Sequence, residues 1–257
     1  MHLAALQFDI AWENKPANFE TVHRLLSKAA FEKDTLVALP EMFATGFSMN
    51  IAVISEDYGG PTEQFLADAA KEFGIWVVAG AAMRAKDGRV RNKALVFSPS
   101  GKLIAFYAKM RPFTPGGEAD HYTAGEQPIS FQWQDCAVSP FVCYDLRFPE
   151  LFRQIAAQRK PEVYVVIASW PDKRIHHWVR LLQARAIENQ AYVLAANRIG
   201  TDPFYTYPGR SIIVDPQGEI IADAGDKEGW ASATMDVEAL SKYRAGLPFL
   251  ADLNPKP

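Results

Sequence analysis

The chain has 257 residues, of which 49% are hydrophobic and 22% charged, a composition typical of a globular protein with a sizeable core. Its net charge of −3 and its pI of about 6.0 exclude the basic profile of nucleic-acid or polyanion binders. It has no apolar run of about 18 residues, which argues against a membrane span. The N-terminus lacks the basic segment and cleavage site of a signal peptide, so we expect a cytoplasmic protein.

Short apolar runs bounded by turn residues predict strands along the whole chain. In the first half we expect strands at residues 2–9, 36–39, 75–83, 90–97 and 103–108. In the second half we expect strands at residues 129–133, 136–142, 163–168, 192–197, 211–214, 219–222 and 231–235. Helical spacing of apolar residues predicts helices at residues 17–33, 62–73, 150–158 and 178–190, with a short last helix beginning near Val237.

Residues 110–127 and 200–209 follow neither pattern, and we expect two irregular loops, which are commonly functional when long. No repeat or linker interrupts the chain, so residues 1–257 are expected to form a single domain. A sheet of about a dozen strands tends to split into two packed layers, whose outer faces helices must cover. The sequence therefore predicts an α/β fold arranged as a four-layer α-β-β-α sandwich.

The two cysteines, Cys136 and Cys143, lie seven residues apart, at the start of one predicted strand and directly after its end. At about 3.3 Å per residue the strand separates them by roughly 23 Å, whereas a disulfide needs Cα atoms within about 7 Å. We therefore expect no disulfide. Cys136 is predicted to be a core thiol, which leaves Cys143 for chemistry.

Three predicted strands are followed by a reactive side chain: Glu41, Lys109 and Cys143. Each has a structural explanation, as a helix cap, a surface lysine and a buried thiol, but ligands of α/β proteins gather beyond the carboxyl ends of strands. A thiol is mostly protonated at neutral pH and needs a base to become a nucleophile. Glu41 could accept the proton, while Lys109 and the backbone N–H of Tyr144 could stabilise an oxyanion. This set predicts amide hydrolysis through a thioester.

The stretches around these residues, ALPEMF, FYAKM and VCYDLRFPE, resemble the Glu-Lys-Cys motifs of the nitrilase, or carbon–nitrogen hydrolase, superfamily. Supporting stretches such as GEADHYTAGE and SIIVDPQGEII extend the resemblance over nearly the whole chain. The segment CYDLRF is similar to the omega-amidase branch. Nitrilases proper typically carry Cys-Trp-Glu where this chain has Cys143-Tyr144-Asp145, so amides are expected rather than nitriles.

The resemblance implies a role for each motif residue. Cys143 would be the nucleophile, Glu41 the general base and Lys109 the group that stabilises the tetrahedral intermediate. Glu118 matches the second glutamate of the family, which helps to orient Lys109 and the base; a solvated loop carboxylate is the alternative.

Omega-amidases act on monoamides of small dicarboxylic acids such as 2-oxoglutaramate and succinamate, so the pocket would have to bind a carboxylate. Arginine binds carboxylates in a bidentate manner, and Arg147 and Arg198 are the candidates. Arg147 has an alternative, a structural ion pair with Asp145 or Glu150. The candidates for the pocket walls are aromatic: Tyr144, Phe43, Trp170 and the loop around Tyr205 and Tyr207. The alternative for each is ordinary packing, which is equally common for aromatic residues in loops.

Other interpretations of the sequence remain open. The same machinery could serve an N-carbamoyl amino acid amidohydrolase or another aliphatic amidase, and a nitrilase-fold protein could act as a non-catalytic binding module. His176 and His177 are adjacent, so they do not share a helix face, and no metal site is expected. The chemistry needs no cofactor. The family resemblance implies a homodimer or a larger homo-oligomer.

Overall fold

The computed structural model describes residues 1–253 and contains fourteen strands and seven α-helices in that range. The strands are β1 (His2–Gln7), β2 (Leu36–Ala38), β3 (Trp76–Arg84), β4 (Val90–Phe97), β5 (Leu103–Ala108), β6 (Phe131–Trp133), β7 (Cys136–Val142), β8 (Val163–Ile167), β9 (Tyr192–Ala196), β10 (Ile199–Thr201), β11 (Thr206–Pro208), β12 (Ile212–Val214), β13 (Ile220–Asp223) and β14 (Gly229–Thr234). The helices are α1 (Lys15–Ala29), α2 (Ile51–Ile54), α3 (Pro61–Phe73), α4 (Glu118–His121), α5 (Pro149–Arg159), α6 (Ile175–Asn189) and α7 (Val237–Gly246).

Twelve of these strands form two six-stranded sheets, in the orders β14-β1-β2-β3-β4-β5 and β13-β12-β9-β8-β7-β6. In each sheet three consecutive strands run parallel, β1, β2 and β3 in the first and β7, β8 and β9 in the second. The flanking strands pair antiparallel to them. Parallel strands need cover on both faces, which explains why β8 and β9 are buried along their whole length.

The two sheets pack face to face, and helices cover the outer face of each. Leu3 and Ala38 of the first sheet share a buried cluster with Val138 and Leu194 of the second. Helices α1 and α3 pack on the first sheet through a second buried cluster. On the other side, Phe152 of α5 stacks on Phe141 of β7, with ring centroids 4.0 Å apart. The predicted four-layer sandwich is confirmed.

Local signals in the sequence set the ends of the helices that cover the first sheet. The Asn14 side chain accepts the Ala17 N–H at the start of α1, and Ala30 ends the helix with a left-handed φ of 48°. This reversal stops α1 four residues before the predicted end at residue 33. Helix α3 ends as predicted at Gly74, which adopts a φ of 66°. Within residues 1–253, no helix has the length and apolar character required to cross a membrane.

The structure changes both predicted loops. Residues 110–127 contain a 3-10 turn, Thr114–Gly116, followed directly by helix α4. The prediction of an irregular loop at residues 200–209 is wrong, because β10 and β11 pair there as a hairpin. This hairpin was missed because its turn depends on one side chain: the Asp202 carboxylate accepts the N–H groups of Phe204 and Tyr205 and the hydroxyl of Tyr207.

Candidate active site

Glu41, Lys109 and Cys143 meet at one edge of the sandwich. Glu41 follows β2, Lys109 follows β5, and Cys143 follows β7 of the opposite sheet. Strand β5 runs in the same direction as β2, so the carboxyl ends of these two strands point to the same edge. The Lys109 Nζ lies 2.9 Å from a Glu41 carboxylate oxygen, and Cys143 lines the same pocket as Glu41. The structure thus brings together the three predicted strand-end residues.

The backbone turns sharply beside two of these side chains. Met42, directly after Glu41, has a φ of 47°, and Cys143 itself has a φ of 48°. Non-glycine residues in this left-handed region carry strain that is concentrated at functional turns. Gly80 of β3 makes the first turn possible, since a Cβ at that position would lie 2.4 Å from the Met42 nitrogen and 2.6 Å from the Glu41 Cα.

Two carboxylates share the Lys109 ammonium in a fully buried cluster. The Lys109 Nζ donates to Glu41 at 2.9 Å and to Glu118 at 2.8 Å, and all three side chains are at most 1% exposed. Asn92 of β4 ties the carboxylates together, because its Nδ2 donates to Glu41 at 2.7 Å and to Glu118 at 2.8 Å. The Phe113 N–H also donates to Glu118, at 2.5 Å. Buried charges are tolerated when they are paired and hydrogen-bonded in this way.

The charges of this cluster set the protonation of Lys109. Burial alone would lower the pKa of its ammonium. The carboxylates of Glu118 and Glu41 outweigh that effect and raise the pKa of Lys109 well above its ordinary value. Lys109 is therefore a fixed cation at physiological pH.

Cys143 is a protonated thiol in the resting site. Burial and the negative charge of Glu41 raise the pKa of Cys143 well above its ordinary value, while the Lys109 charge opposes the shift. Its Sγ lies 4.0 Å from the Ser169 carbonyl oxygen at the end of β8. A thiol in this state needs a base to become nucleophilic, and the Glu41 carboxylate is the acidic group beside it. The other cysteine, Cys136, is a buried free thiol as predicted, and burial raises its pKa to about 11.

The Glu41 carboxylate is oriented by donors from both sheets. One oxygen accepts from Lys109 and Asn92, and the other accepts the backbone N–H of Ser169 at 3.0 Å. The Ser169 hydroxyl also donates to the Glu41 carbonyl at 3.3 Å. Residues 128 positions apart in the chain therefore fix the direction of the Glu41 carboxylate.

Asp145, two residues after Cys143, joins the cysteine turn to the segment that carries Lys109. Its carboxylate accepts the Val142 N–H at 3.1 Å, the Arg111 N–H at 2.9 Å and the Tyr107 hydroxyl at 2.8 Å. Burial raises the pKa of Asp145 to about 7, although the Lys109 charge and these three donors act in the opposite direction. Asp145 thus connects β5 and the segment after it to the turn after β7 by hydrogen bonds.

A small, partly open pocket lies above Cys143. Its lining consists of Glu41, Phe47, Phe113, Cys143, Tyr144, Arg147, Ser169, Trp170, Pro171, Arg174, Tyr205 and Tyr207. Among the predicted wall residues, Tyr144, Trp170, Tyr205 and Tyr207 lie here, together with Arg147.

Two of the predicted contacts need correction. Phe43 is fully buried under the first sheet, where it packs beside Phe19 and Phe65, because the turn at Met42 directs it away from the pocket. Phe47 takes its place in the pocket, with the Lys109 Nζ 5.2 Å from its ring centre.

Arg198 is also absent from the lining. Its side chain is completely buried and donates to the Asp9 carboxylate at 2.8 Å and to the carbonyls of Ile10 and Thr201. Its guanidinium lies 4.5 Å from the centre of the Tyr207 ring, so it supports the pocket wall from behind.

Arg147 does not form either of the ion pairs considered as alternatives. The Asp145 carboxylate is occupied by the donors described above, and Glu150 lies 3.8 Å from Arg111. The Arg147 guanidinium lies 4.7 Å from the Trp170 ring centre and contacts the His177 Nδ1 at 3.3 Å. Within residues 1–253, no carboxylate oxygen lies within 4.0 Å of it.

Sequence reasoning did not find Asn92, nor the lining residues Phe47, Phe113, Ser169, Pro171 and Arg174. Asn92 lies between Arg91 and Lys93 in the polar half of β4, so its residue type does not distinguish it. Phe47 and Arg174 lie in segments without periodic structure, and the sequence gives no signal for their orientation.

Comparisons with known proteins identify the family of this chain. The family model described as Carbon-nitrogen hydrolase matches residues 2–245. The 2-oxoglutaramate amidase of Bacillus subtilis (strain 168) is 32% identical over 98% of this chain and 96% of its own length. The omega-amidase YafV of Yersinia enterocolitica is 36% identical over the same shares. A CN-hydrolase superfamily protein of Xanthomonas campestris, solved with an arsenic adduct in its active site, superposes with a TM-score of 0.93 at 31% identity, covering 100% of this chain and 98% of that one.

The fold and the comparisons together define a hydrolase that cleaves carbon–nitrogen bonds of amides. The chain belongs to the carbon–nitrogen hydrolase family, within the nitrilase superfamily. The predicted family resemblance is confirmed.

Proposed function

We propose that this enzyme hydrolyses the terminal amide of small dicarboxylic acid monoamides, of the 2-oxoglutaramate and succinamate type, and releases ammonia. The observation that carries the proposal is the position of Arg147, a guanidinium without a carboxylate partner among residues 1–253, in the same pocket as Cys143 and Glu41. Such a pocket accepts an amide at one end and a carboxylate at the other. The names of the bacterial relatives agree with this substrate class.

Acylation begins with the thiol of Cys143. Glu41 takes the thiol proton as the sulfur attacks the amide carbon, and the carbonyl oxygen gains a negative charge. The tetrahedral intermediate collapses when the C–N bond breaks, and the proton held by Glu41 passes to the leaving nitrogen as ammonia forms. The product of this step is a thioester on Cys143.

Lys109 stabilises the oxyanion in both tetrahedral intermediates, helped by the backbone N–H of Tyr144. Because the two carboxylates raise the pKa of Lys109, the residue remains a cation and does not act as an acid. Glu118 holds the ammonium in place at 2.8 Å, and the Phe113 N–H in turn fixes Glu118.

Deacylation uses the same groups. Glu41, again a carboxylate, takes a proton from water as the water oxygen attacks the thioester carbon. The second intermediate collapses with rupture of the C–S bond, and the proton on Glu41 returns to the sulfur. The enzyme is then restored and the dicarboxylic acid leaves. Every role is filled by a side chain or a backbone N–H, so the mechanism uses no cofactor.

The far end of the pocket recognises the substrate carboxylate. The Arg147 guanidinium lies over the ring of Trp170, 4.7 Å from the ring centre, and its two NH₂ groups contact the Nδ1 of the exposed His177 at 3.4 and 3.3 Å. A substrate carboxylate binds these two groups by replacing the His177 contact. Tyr144 closes another wall, with its ring 5.0 Å from Phe113 and 5.2 Å from Phe148.

Ammonia release from a panel of substrates tests the proposal. We expect 2-oxoglutaramate and succinamate to be hydrolysed, and N-carbamoyl amino acids and aliphatic nitriles to be turned over at least tenfold more slowly. A preference for a carbamoyl amino acid would instead support the alternative amidohydrolase activity.

The Cys143→Ala variant should lose turnover while keeping the circular dichroism spectrum of the native fold. Cys136→Ala is the matched control, because it removes a buried thiol outside the pocket and should leave kcat unchanged. Mass spectrometry of a rapidly quenched reaction should find the acyl group on the peptide that contains Cys143. Wild-type turnover by a well-folded Cys143→Ala enzyme would end the proposal.

We also propose that the enzyme acts in the cytoplasm as a homodimer or a larger homo-oligomer. The assembly is supported by the family resemblance, and light scattering in solution measures it directly.

A further inference from the structure

Two arginines from different segments reach the same pocket. Arg147 ends the turn that begins with Cys143, and Arg174 directly precedes helix α6. Eight other arginines of the described chain lie within 4.0 Å of a carboxylate oxygen. Across residues 1–253, neither Arg147 nor Arg174 has such a partner. The pocket therefore contains two cations without a protein anion near them.

Aromatic rings on the pocket wall hold both guanidinium groups. Arg147 lies 4.7 Å from the centre of the Trp170 ring, and Arg174 lies 5.7 Å from the centre of the Phe113 ring. A guanidinium over an aromatic face keeps its N–H donors free at the edge of its plane. Arg147 and Arg174 themselves line one pocket, and the NH₂ groups of Arg147 contact the Nδ1 of the exposed His177. An anion that replaces this contact can reach both guanidinium groups.

The two charges are close enough to affect each other. Burial lowers the pKa of Arg147, and the charge of Arg174 lowers it further. The pKa of His177, which contacts Arg147, is lowered by desolvation and then by the charges around it, including those of both arginines. Like charges in a half-buried pocket repel, and an anion bound between them removes that repulsion.

We propose that Arg174 is a specificity-determining residue that shares the substrate carboxylate with Arg147. The inference rests on the proposed amidase function and extends it: one guanidinium binds the carboxylate from the side of Trp170 and the other from the side of Phe113. The enzyme then selects amides whose opposite end carries a free carboxylate, and it discriminates against uncharged amides of the same length.

The test compares succinamate with butyramide, which has a methyl group in place of the carboxylate. In Arg174→Gln the KM for succinamate should rise by about ten- to a hundredfold, the loss expected when a charged hydrogen-bond donor is removed. Its kcat should change by less than about threefold, because Arg174 is outside the Glu41, Lys109 and Cys143 cluster. The kcat/KM for butyramide should stay unchanged. Arg174→Lys should recover part of the affinity, since it keeps the charge but loses the planar fork.

The matched control is Arg180→Gln, which removes an exposed arginine from helix α6, the helix that Arg174 precedes, outside the pocket lining. Both substrates should be hydrolysed by this variant as by the wild type. A second measurement needs no turnover: succinate should protect Cys143 from alkylation by iodoacetamide, and Arg174→Gln should require about ten- to a hundredfold more succinate for the same protection.

The outcomes separate the inference from the proposed function. Unchanged KM and unchanged succinate protection in Arg174→Gln would overturn the role of Arg174, while wild-type hydrolysis of succinamate would keep the function intact. An equal loss on succinamate and butyramide would also overturn it, because it would indicate a structural role. A wild-type enzyme that hydrolyses neither succinamate nor 2-oxoglutaramate would refute the proposed function itself.

Discussion

Replacing Glu41 by glutamine tests the proposed base with almost no change in shape. One Glu41 oxygen accepts from Lys109 and Asn92, and the other accepts from the Ser169 N–H. A glutamine amide has one oxygen and one NH₂ group, so in either orientation the NH₂ faces a donor. The substitution therefore removes the base and also at least one of the bonds that orient it.

The loss of the base sets the size of the effect. General-base catalysis typically contributes about 10²–10⁴ in rate, which corresponds to about 2.7–5.5 kcal/mol of transition-state stabilisation. We expect Glu41→Gln to lower kcat on succinamate by at least 10²-fold. Ammonia release under saturating substrate measures this directly.

The same variant should lower the pKa of Cys143, so that its thiolate forms more readily even though turnover is slower. The Glu41 charge raises the pKa of the Cys143 thiol, so its removal should lower that pKa and move the midpoint of iodoacetamide alkylation to lower pH. An enzyme that is slower in turnover but forms its thiolate more readily is the signature of a lost base. A misfolded enzyme would not show this combination.

Glu56→Gln is the matched control. Glu56 is also a buried carboxylate that accepts from a lysine, Lys15, and from a backbone N–H, that of Thr62, but it lies outside the pocket. It should lose stability without a change in kcat. Wild-type kcat in Glu41→Gln, or an alkylation midpoint that moves to higher pH, would refute the assignment of Glu41 as the base.

Two further predictions concern residues that position the site. Asn92→Ala removes two charged hydrogen bonds of about 1.5–3 kcal/mol each. We therefore expect kcat to fall by at least tenfold and the free energy of unfolding to fall by about 2 kcal/mol or more. An unchanged urea midpoint would contradict this prediction. Burial raises the pKa of Asp145 from 3.8 to about 7. Between these two pH values the folded state therefore binds more protons than the unfolded state. The stabilising contribution of Asp145 is complete below about pH 4 and is lost as the pH rises through 7. The unfolding free energy of the wild type minus that of Asp145→Asn should therefore fall by up to about 4 kcal/mol between pH 4 and pH 8, and a constant difference in urea titrations would refute the assignment.

The meeting of the three strand-end residues was predictable from the sequence, because apolar runs locate the strands of an α/β fold and the carboxyl ends of parallel strands lie at one edge. Glu41, Lys109 and Cys143 each follow such a run, and the structure brings them together. Asn92 was missed because it lies within β4, where alternation alone does not distinguish a site residue from a solvent-facing one.

Side-chain direction after a strand was not predictable. Phe43 and Phe47 both follow Glu41, and the left-handed backbone at Met42 decides which of them reaches the pocket. Arg198 also follows a strand, but its guanidinium is held by Asp9, which is 189 residues away in the sequence. These outcomes depend on single dihedral angles and distant partners, which periodicity does not encode.

The division of the site between two sheets has a consequence for refolding. Glu41 and Lys109 follow strands of the first sheet, whereas Cys143 and Ser169 follow strands of the second. Contacts between residues so far apart in the sequence form only after a large loss of chain entropy, so they form late. During refolding from denaturant, the circular dichroism signal should therefore return before activity does, which makes catalytic turnover a reporter of the docking of one sheet on the other.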